Sequence, residues 1–372
     1  MIKILELIDG GFIGGGQTHI LSICRNLDKE KYLPIIAASP KGEFKELTLK
    51  ENIRFYDVKL PKIYRGKYLK ELKTIIDKEK VDIIHAHGGV AGMYAKFYKK
   101  KIGNIKVIHS IHGIHYIHSK NILRKSFSKT IEQYLVNFAD MFLCASDEDI
   151  KVGSEFKIIN KEKTKKVSYG IDLKKFERKL KEYALLKELG ISENNFVIGN
   201  ISRFDEQKNQ KILIDIFPYL VKTIPTAILL LIGEGKLLRS AKRQVNELGI
   251  KDKVIFAGTR KDLEKIYPLI DVFVFPSKWE GLSITLMEAL SAGCSIIASK
   301  IPQNIEMIED NVNGMIFNLI NKEELKNKIV ELYNNIDFKN KLSLGAIYSS
   351  DKYNDKVMTK KIEEIYFNLM NN

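Results

Sequence analysis

Short apolar runs alternate with longer amphipathic segments along this chain, and that alternation leaves few folds open. A strand buried on both faces reads as a continuous apolar run, and the crossover that brings the next strand in parallel is usually a helix. The first half offers such runs at 2–8, 34–38 and 53–58, then at Val81-Asp82-Ile83-Ile84, Ile105-Lys106-Val107-Ile108 and Met141-Phe142-Leu143-Cys144. Helical spacing fills 17–28, 67–79, 89–101 and 123–139 between them. A polar, Lys-rich stretch follows around 150–170. A second series then begins with Phe196–Ile201, Ala227–Ile232, Val254-Ile255-Phe256, Val272–Phe275 and Ser295-Ile296-Ile297-Ala298. Helical patterns there occupy 207–222, 236–248, 261–268, 283–292 and 302–309. The pattern predicts an α/β chain with two consecutive doubly wound domains, 1–168 and 169–350. Residues 351–372 hold one last amphipathic helix over 353–370, with Val357, Ile362, Ile365, Tyr366 and Leu369 on its apolar side. In such sheets ligands bind beyond the carboxyl ends of the strands.

Composition narrows the partners. A chain that is 45% hydrophobic can bury substantial cores and is not disordered. The formal charge of +15 fits nucleic acid, an anionic membrane surface or phosphorylated small molecules, although Lys excess also follows from biased codon usage. The basic residues are not organised around a nucleic-acid reading module, so no nucleic-acid partner is expected. Cys24, Cys144 and Cys294 form no CxxC and no even framework, which predicts a reducing compartment, buried inert thiols and no structural metal. The N-terminus lacks signal-peptide features and no run approaches the ~18 apolar residues that span a bilayer, so a cytoplasmic location is expected, with any membrane contact at the surface. Lys62, Arg65, Lys67, Lys70, Lys73, Lys96, Lys99, Lys100 and Lys101, interleaved with Ile63, Tyr64, Tyr68, Leu69, Phe97 and Tyr98, would suit an anionic membrane. Solvated helix faces are the plainer reading of the same residues.

Several motifs carry chemistry. The turn Gly10 to Gln17 lets backbone approach a phosphate or sugar closely, and the following helix offers free N–H groups. It is not in GxGxxG register and no acidic residue stands about 20 positions on, which speaks against a nicotinamide enzyme. Six histidines, His85, His87, His109, His112, His115 and His118, fall at expected strand ends and a loop. Without HExxH or a Cys partner zinc is not expected; one or two of them should contact substrate, His112 favoured because Gly113 follows, and the rest read as loop or core histidines. Arg203 and Lys208 stand at the mouth of a strand, where two cations can neutralise a diphosphate; taken alone, the same residues also read as a solvated loop with Glu206 paired to Lys208. The segment from Pro276 to Ala289 ends a strand and opens a helix: Gly281, Leu282 and Ser283 would aim N–H groups at an anion, and Glu280 and Glu288 would flank them. Gly233 is either a simple turn or a wall of the same pocket. Asp147-Glu148-Asp149 reads as a helix cap and not as a metal motif.

Together these spacings resemble the retaining glycosyltransferases of family 4, which have the GT-B fold: two Rossmann-like domains with a cleft between them. The stretch FVFPSKWEGLSITLMEALSAGCSIIAS is similar to the family's E-x7-E segment, with Glu280 and Glu288 as its carboxylates. The resemblance extends to Gly14-Gly15-Gly16-Gln17-Thr18-His19, His112-Gly113 and Gly170-Ile171-Asp172, and so covers nearly the whole chain. It implies that Arg203 and Lys208 hold the diphosphate, Glu280 contacts donor-sugar hydroxyls and Glu288 binds the ribose. Gly281, Leu282 and Ser283 would give backbone contacts, His112 would face the donor sugar, and Gly15 and Gly16 would admit the phosphates. Many members carry Glu where Gln17 stands, so Gln17, with His19, is expected only to touch the acceptor. The implied substrate is a nucleotide sugar, UDP-linked by family frequency. The implied acceptor is a glycan or lipid-linked molecule, and no cofactor or metal is implied. A non-catalytic sugar-nucleotide-binding scaffold would keep the same pocket.

Overall fold

The computed structural model describes residues 1–114, 117 and 122–371. Two compact units divide the chain: Met1–Ile171 together with Tyr353–Asn372, and Asp172–Lys352.

The first unit alternates strand and helix: β1 (Ile2–Ile8), α1 (Gly15–Asn26), β2 (Tyr32–Ala38), α2 (Phe44–Lys50), β3 (Arg54–Asp57), α3 (Lys67–Glu79) and β4 (Ile83–His87). It continues with α4 (Gly88–Lys101), β5 (Lys106–Ile111), α5 (Ile122–Leu135), β6 (Met141–Cys144), α6 (Asp147–Glu155) and β7 (Thr164–Lys166). The strands form one seven-stranded sheet in the order β3-β2-β1-β4-β5-β6-β7, all pairs parallel. Side-chain alternation along β1 sorts its residues between two cores. Leu5 and Leu7 pack with Ile84, Leu72 and Tyr94 on the α3–α4 side. Ile4 packs with Ile108 and with Met358, Ile362, Ile365 and Tyr366 of the chain's last helix, Asp355–Asn371. That helix is tied down where the chain leaves the sheet. Ile171 N–H donates to Tyr353 O at 2.8 Å and Asp355 N–H to Ile171 O at 3.1 Å. Gly170 makes the approach feasible, since a Cβ there would sit 2.4 Å from Asp355 Cα.

The second unit holds α7 (Tyr183–Glu188), β8 (Phe196–Ile201), α8 (Lys211–Thr223), β9 (Ala227–Ile232), α9 (Leu238–Glu247), β10 (Val254–Phe256), α10 (Leu263–Ile266) and β11 (Val272–Phe275). α11 (Ile284–Ser291), β12 (Ser295–Ser299), α12 (Pro302–Met307), β13 (Met315–Phe317), α13 (Lys322–Asn334) and α14 (Ile336–Ser350) follow. Its parallel six-stranded sheet runs β10-β9-β8-β11-β12-β13. Ile198, Leu229, Leu231, Val272, Val274 and Ile297 meet Ile212, Phe217, Val245 and Ile329 in its core.

Strand order reverses direction between β1 and β4 in the first sheet and between β8 and β11 in the second. A crevice opens at such a switch point because successive crossovers go to opposite sides. Several sequence expectations need correcting. β4 and β5 run on to His87 and Ile111, so His85 and His109 lie inside the sheet rather than at strand ends. The helix expected from 207 starts at Lys211, because Asn209 adopts a left-handed φ of 54° and the preceding residues form a loop. The helix expected over 261–268 is Leu263–Ile266, followed by a 3₁₀ turn over Tyr267–Leu269 that contains Pro268. Among the described residues no helix is long and apolar enough to cross a membrane.

Candidate active site

In the second unit, two loops meet at the carboxyl ends of β8 and β11. The first carries Arg203 to Gln210 and is clamped from below by the turn after β9. Gly233 has φ 127°, and a Cβ there would sit 2.2 Å from Ser202 O; Gly235 has φ 154° and its Cβ would lie 2.4 Å from Phe204 O. Gly233 therefore serves the seating of the Arg203 loop, with Phe204 N–H donating to Glu234 O at 2.9 Å. Asp205 Oδ1 accepts from Lys208 N–H at 3.1 Å and closes the loop on itself. The Arg203 guanidinium is 73% exposed and lies 3.2 Å from the Asp205 carboxylate.

The second loop, 276–283, is stitched to the first. Lys278 N–H donates to Gln207 O at 2.8 Å, and Asn209 Nδ2 to Pro276 O at 3.3 Å. Gln207 Nε2 donates to Trp279 O at 2.8 Å and to Glu280 Oε2 at 3.2 Å. Lys208 Nζ lies 2.6 Å from Glu280 Oε1 and 5.0 Å from the Phe275 ring centroid. The pair is largely withdrawn from water, with 13% and 7% of the two side chains exposed. Gly281, Leu282 and Ser283 are buried behind it. Ser283 caps α11, its Oγ accepting from Leu286 N–H at 3.2 Å, which directs the positive end of the helix towards these loops. Lys208 and Glu280 thus bring the two loops together, while Arg203 opens the first loop with its side chain towards Asp205. Glu288, a turn further along α11, is buried and hydrogen-bonded to the Tyr267 hydroxyl at 2.9 Å.

In the first unit, the switch point gathers the Gly-rich turn, His87 at the end of β4 and His112 just after β5. A buried chain of hydrogen bonds runs from Glu6 through His87 to His112: 2.6 Å for Glu6 Oε2–His87 Nε2 and 2.9 Å for His87 Nδ1–His112 Nε2. Tyr169 Oη closes it, 2.5 Å from His112 Nδ1. Neighbouring histidines, acting against the cost of burial, hold Glu6 well below the usual carboxylate range. An ionised carboxylate only accepts, so His87 donates from Nε2. His87 Nδ1 then accepts from His112 Nε2, and Tyr169 donates to His112 Nδ1. Burial pushes His87 down to about 4 and His112 well below its ordinary value, so both rings are neutral at pH 7. Both His112 nitrogens are engaged, and a sugar hydroxyl that bonds to the ring must displace Tyr169 or His87. Tyr366 donates to Glu6 Oε1 at 2.9 Å and lies 2.6 Å from His85 Nδ1, while His85 Nε2 faces Ser110 Oγ at 2.7 Å. Among the described residues, Glu6, His85 and His87 bring three ligand-type atoms within 4.8 Å of one another, and each of those residues is already hydrogen-bonded.

The other expected contacts fall as follows. Gln17 is buried, and its amide donates to Gly10 O at 3.1 Å, latching the Gly-rich turn. His19 is buried with its ring 4.7 Å from Tyr169. Gly15 opens α1, and a Cβ on Gly16 would lie 3.1 Å from Ile8 and 3.7 Å from the His112 ring. His109 is buried against Gly88 O at 3.1 Å; His115 and His118 lie outside the described residues. Of the expected basic face, Tyr68, Leu69, Tyr98 and Lys96 are buried in the core. Lys73 pairs with Asp77 and Lys99 with Asp140, while Lys62, Ile63, Arg65, Lys67 and Lys70 are exposed. The three cysteines are buried, and Cys144 is pushed up to about 12 by desolvation.

A family model described as Glycosyltransferase Family 4 matches residues 13–175, and one described as Glycosyl transferases group 1 matches residues 183–346. The chain belongs to this glycosyltransferase family. The UDP-Gal:alpha-D-GlcNAc-diphosphoundecaprenol alpha-1,3-galactosyltransferase of Escherichia coli is 26% identical over 270 residues, 72% of this chain and 70% of that one. The alpha-monoglucosyldiacylglycerol synthase of Acholeplasma laidlawii is 26% identical over 399 residues, covering 99% of this chain and 93% of its own. In fold, this glycosyltransferase is similar to Anabaena HepE, solved in complex with UDP-glucose: TM-score 0.86, 21% identity, 99% of this chain and 100% of that one. WaaG, a glycosyltransferase of lipopolysaccharide biosynthesis, aligns with a TM-score of 0.76 at 13% identity, over 97% of this chain and 99% of its own. The two sheets therefore build a GT-B glycosyltransferase.

Glu288 of this glycosyltransferase holds its proton to an unusually high pH. Burial raises its carboxyl to about 7, against the Tyr267 hydrogen bond and the Lys175 charge, which both lower it. The folded state holds this proton more tightly than the unfolded chain, whose reference value is 4.5. The stabilisation is complete below that reference and is lost as pH rises through about 7. Glu288→Gln should therefore change little at pH 5 and stabilise the second unit by roughly 2–3 kcal/mol at pH 8, read as the shift of its thermal midpoint at the two pH values.

Proposed function

We propose that this glycosyltransferase takes a hexose or N-acetylhexosamine from a UDP-sugar, with retention at the anomeric carbon. It would pass the sugar to a glycan or lipid-linked acceptor in cell-surface polysaccharide, lipopolysaccharide or glycoprotein synthesis. The observation that carries this reading is the Lys208–Glu280 pair at 2.6 Å, which joins the Arg203 loop to the N-terminus of α11 at the switch point. In the proposed reaction the bond from C1 to the diphosphate breaks and UDP leaves with the electron pair. Lys208, Arg203 and the N–H groups of Gly281 to Ser283 meet the negative charge that develops there. Glu280 accepts from hydroxyls of the sugar and Glu288 from those of the ribose. His112 faces the sugar, with Gly15 and Gly16 giving the phosphates room, and Gln17 and His19 belong to the acceptor side. The acceptor hydroxyl bonds to C1 on the face the diphosphate leaves, and its proton departs with the UDP. No divalent metal takes part, because the two cations supply the counter-charge.

Two relatives support donor and acceptor class: one uses UDP-Gal and a diphosphoundecaprenol-linked sugar, the other makes a glucosylated diacylglycerol. An enzyme that uses such acceptors would work on the cytoplasmic face of an anionic membrane, reached through Lys62, Ile63, Arg65, Lys67 and Lys70. A panel of nucleotide sugars tests the donor: a UDP-sugar at about 100 times its Kd should stabilise the protein by about 2.7 kcal/mol. Transfer that persists in EDTA, with an NMR-assigned product of the donor's own anomeric configuration, is the expected result. Binding without transfer or donor hydrolysis would leave a sugar-nucleotide scaffold instead.

A further inference from the structure

The Glu288 carboxylate has a partner that the family motif does not contain. Tyr267 opens the 3₁₀ turn before β11 and is only 1% exposed. Its hydroxyl lies 2.9 Å from Glu288 Oε2 and 3.1 Å from Thr285 O. A phenol has one proton to give, and the carboxylate is the stronger acceptor. The ring has little freedom: its centroid lies 6.0 Å from Phe176 and 5.8 Å from Phe273. The Cys294 thiol donates to the Tyr267 carbonyl oxygen at 3.7 Å. A hydroxyl on so fixed a ring fixes whatever it bonds to. Among the described residues the other oxygen of Glu288, Oε1, has no hydrogen-bond partner, which leaves it for a ligand.

We propose that Tyr267 is a positioning residue for the nucleotide: it pins Oε2 of Glu288 so that the carboxylate meets the vicinal diol of a ribose in a single orientation. The inference rests on the donor reading above. A free carboxylate on a two-carbon stem samples several rotamers, and ordering it on binding costs affinity. Tyr267 pre-orders it. Two further charged groups face Glu288: the Lys175 ammonium, which favours its ionised form, and the Glu264 carboxylate, which opposes it. Those two lie 3.8 Å apart. Removing the Tyr267 hydroxyl takes away a donor to the ionised form, so ribose-dependent binding should then require a higher pH.

The test compares UDP with 2′,3′-dideoxy-UDP by titration calorimetry on the full-length protein. The wild type should favour UDP by about tenfold or more, as for hydrogen bonds to a charged group. Tyr267→Phe keeps the ring and its packing. It should cut that preference to under about threefold while leaving the affinity for the dideoxy ligand unchanged, and should move the pH midpoint of UDP binding upward. Glu288→Ala should lose the preference as well. Full discrimination in Tyr267→Phe with an unmoved midpoint overturns the inference alone. No UDP binding by the wild type overturns the donor reading, and this inference with it.

Discussion

Replacing Lys208 with alanine should lower transfer from a UDP-sugar by about 10²–10³-fold, the loss seen when one preorganised charge donor is removed from a developing anion. Lys208 is held by Glu280 at 2.6 Å and by the face of Phe275, so its ammonium needs no reorganisation when a diphosphate arrives. The substitution also leaves Glu280 with Gln207 as its remaining side-chain partner at 3.2 Å, in a place where little water reaches. Two effects are thus mixed, and Glu280→Gln on the Lys208→Ala background separates them: it relieves the stranded charge without restoring the cation. Transfer should stay low in the double variant while the thermal midpoint recovers. Arg203→Ala should act in the same direction through the leaving group. Unchanged turnover in both single variants would remove the donor site from these loops.

The largest effect on stability should come from Lys96, a residue whose surroundings make it look like a surface cation. Its side chain is 0% exposed, and Nζ lies 2.6 Å from Glu132 Oε2 and 5.8 Å from the Phe142 ring centroid. Lys96→Ala leaves Glu132 with a buried, uncompensated charge and should cost about 3–5 kcal/mol. Lys96→Met combined with Glu132→Leu removes both charges and keeps most of the volume, so it should cost much less than the single change. Chemical denaturation of the two variants checks this. Equal losses would mean that the ion pair is not what holds α4 against α5.

Lys96 also marks where sequence reading stops. Apolar runs identify β1, β8, β9 and β11 because central parallel strands have no polar face to confuse the pattern. β7 escapes because Thr164-Lys165-Lys166 is a short, charged edge strand, which is how edges are usually protected. Lys96 sits in Tyr94-Ala95-Lys96-Phe97-Tyr98 among aromatic and basic residues, and nothing local says that Glu132 will neutralise it from another helix. The Arg203, Lys208 and Glu280 loops could be read because local motifs carry them. The Glu6–His87–His112–Tyr169 chain could not, since its members come from four places in the sequence. One signal was present: a carboxylate in the middle of the apolar run Ile2–Ile8 has to find partners inside the protein. Tyr267 and Tyr366 carried no such mark, because a buried tyrosine and a core phenylalanine look alike in an apolar pattern.

The return of the last helix to the first sheet bears on how the protein is made. Ile4 and Glu6 leave the ribosome long before Ile362, Ile365 and Tyr366, against which they pack. One side of that sheet therefore stays uncovered until the helix Asp355–Asn371 emerges, by which time every strand of the second unit has been translated. The unit begun first is completed last, and a nascent chain stalled before Asp355 would display a bare apolar face to any chaperone nearby.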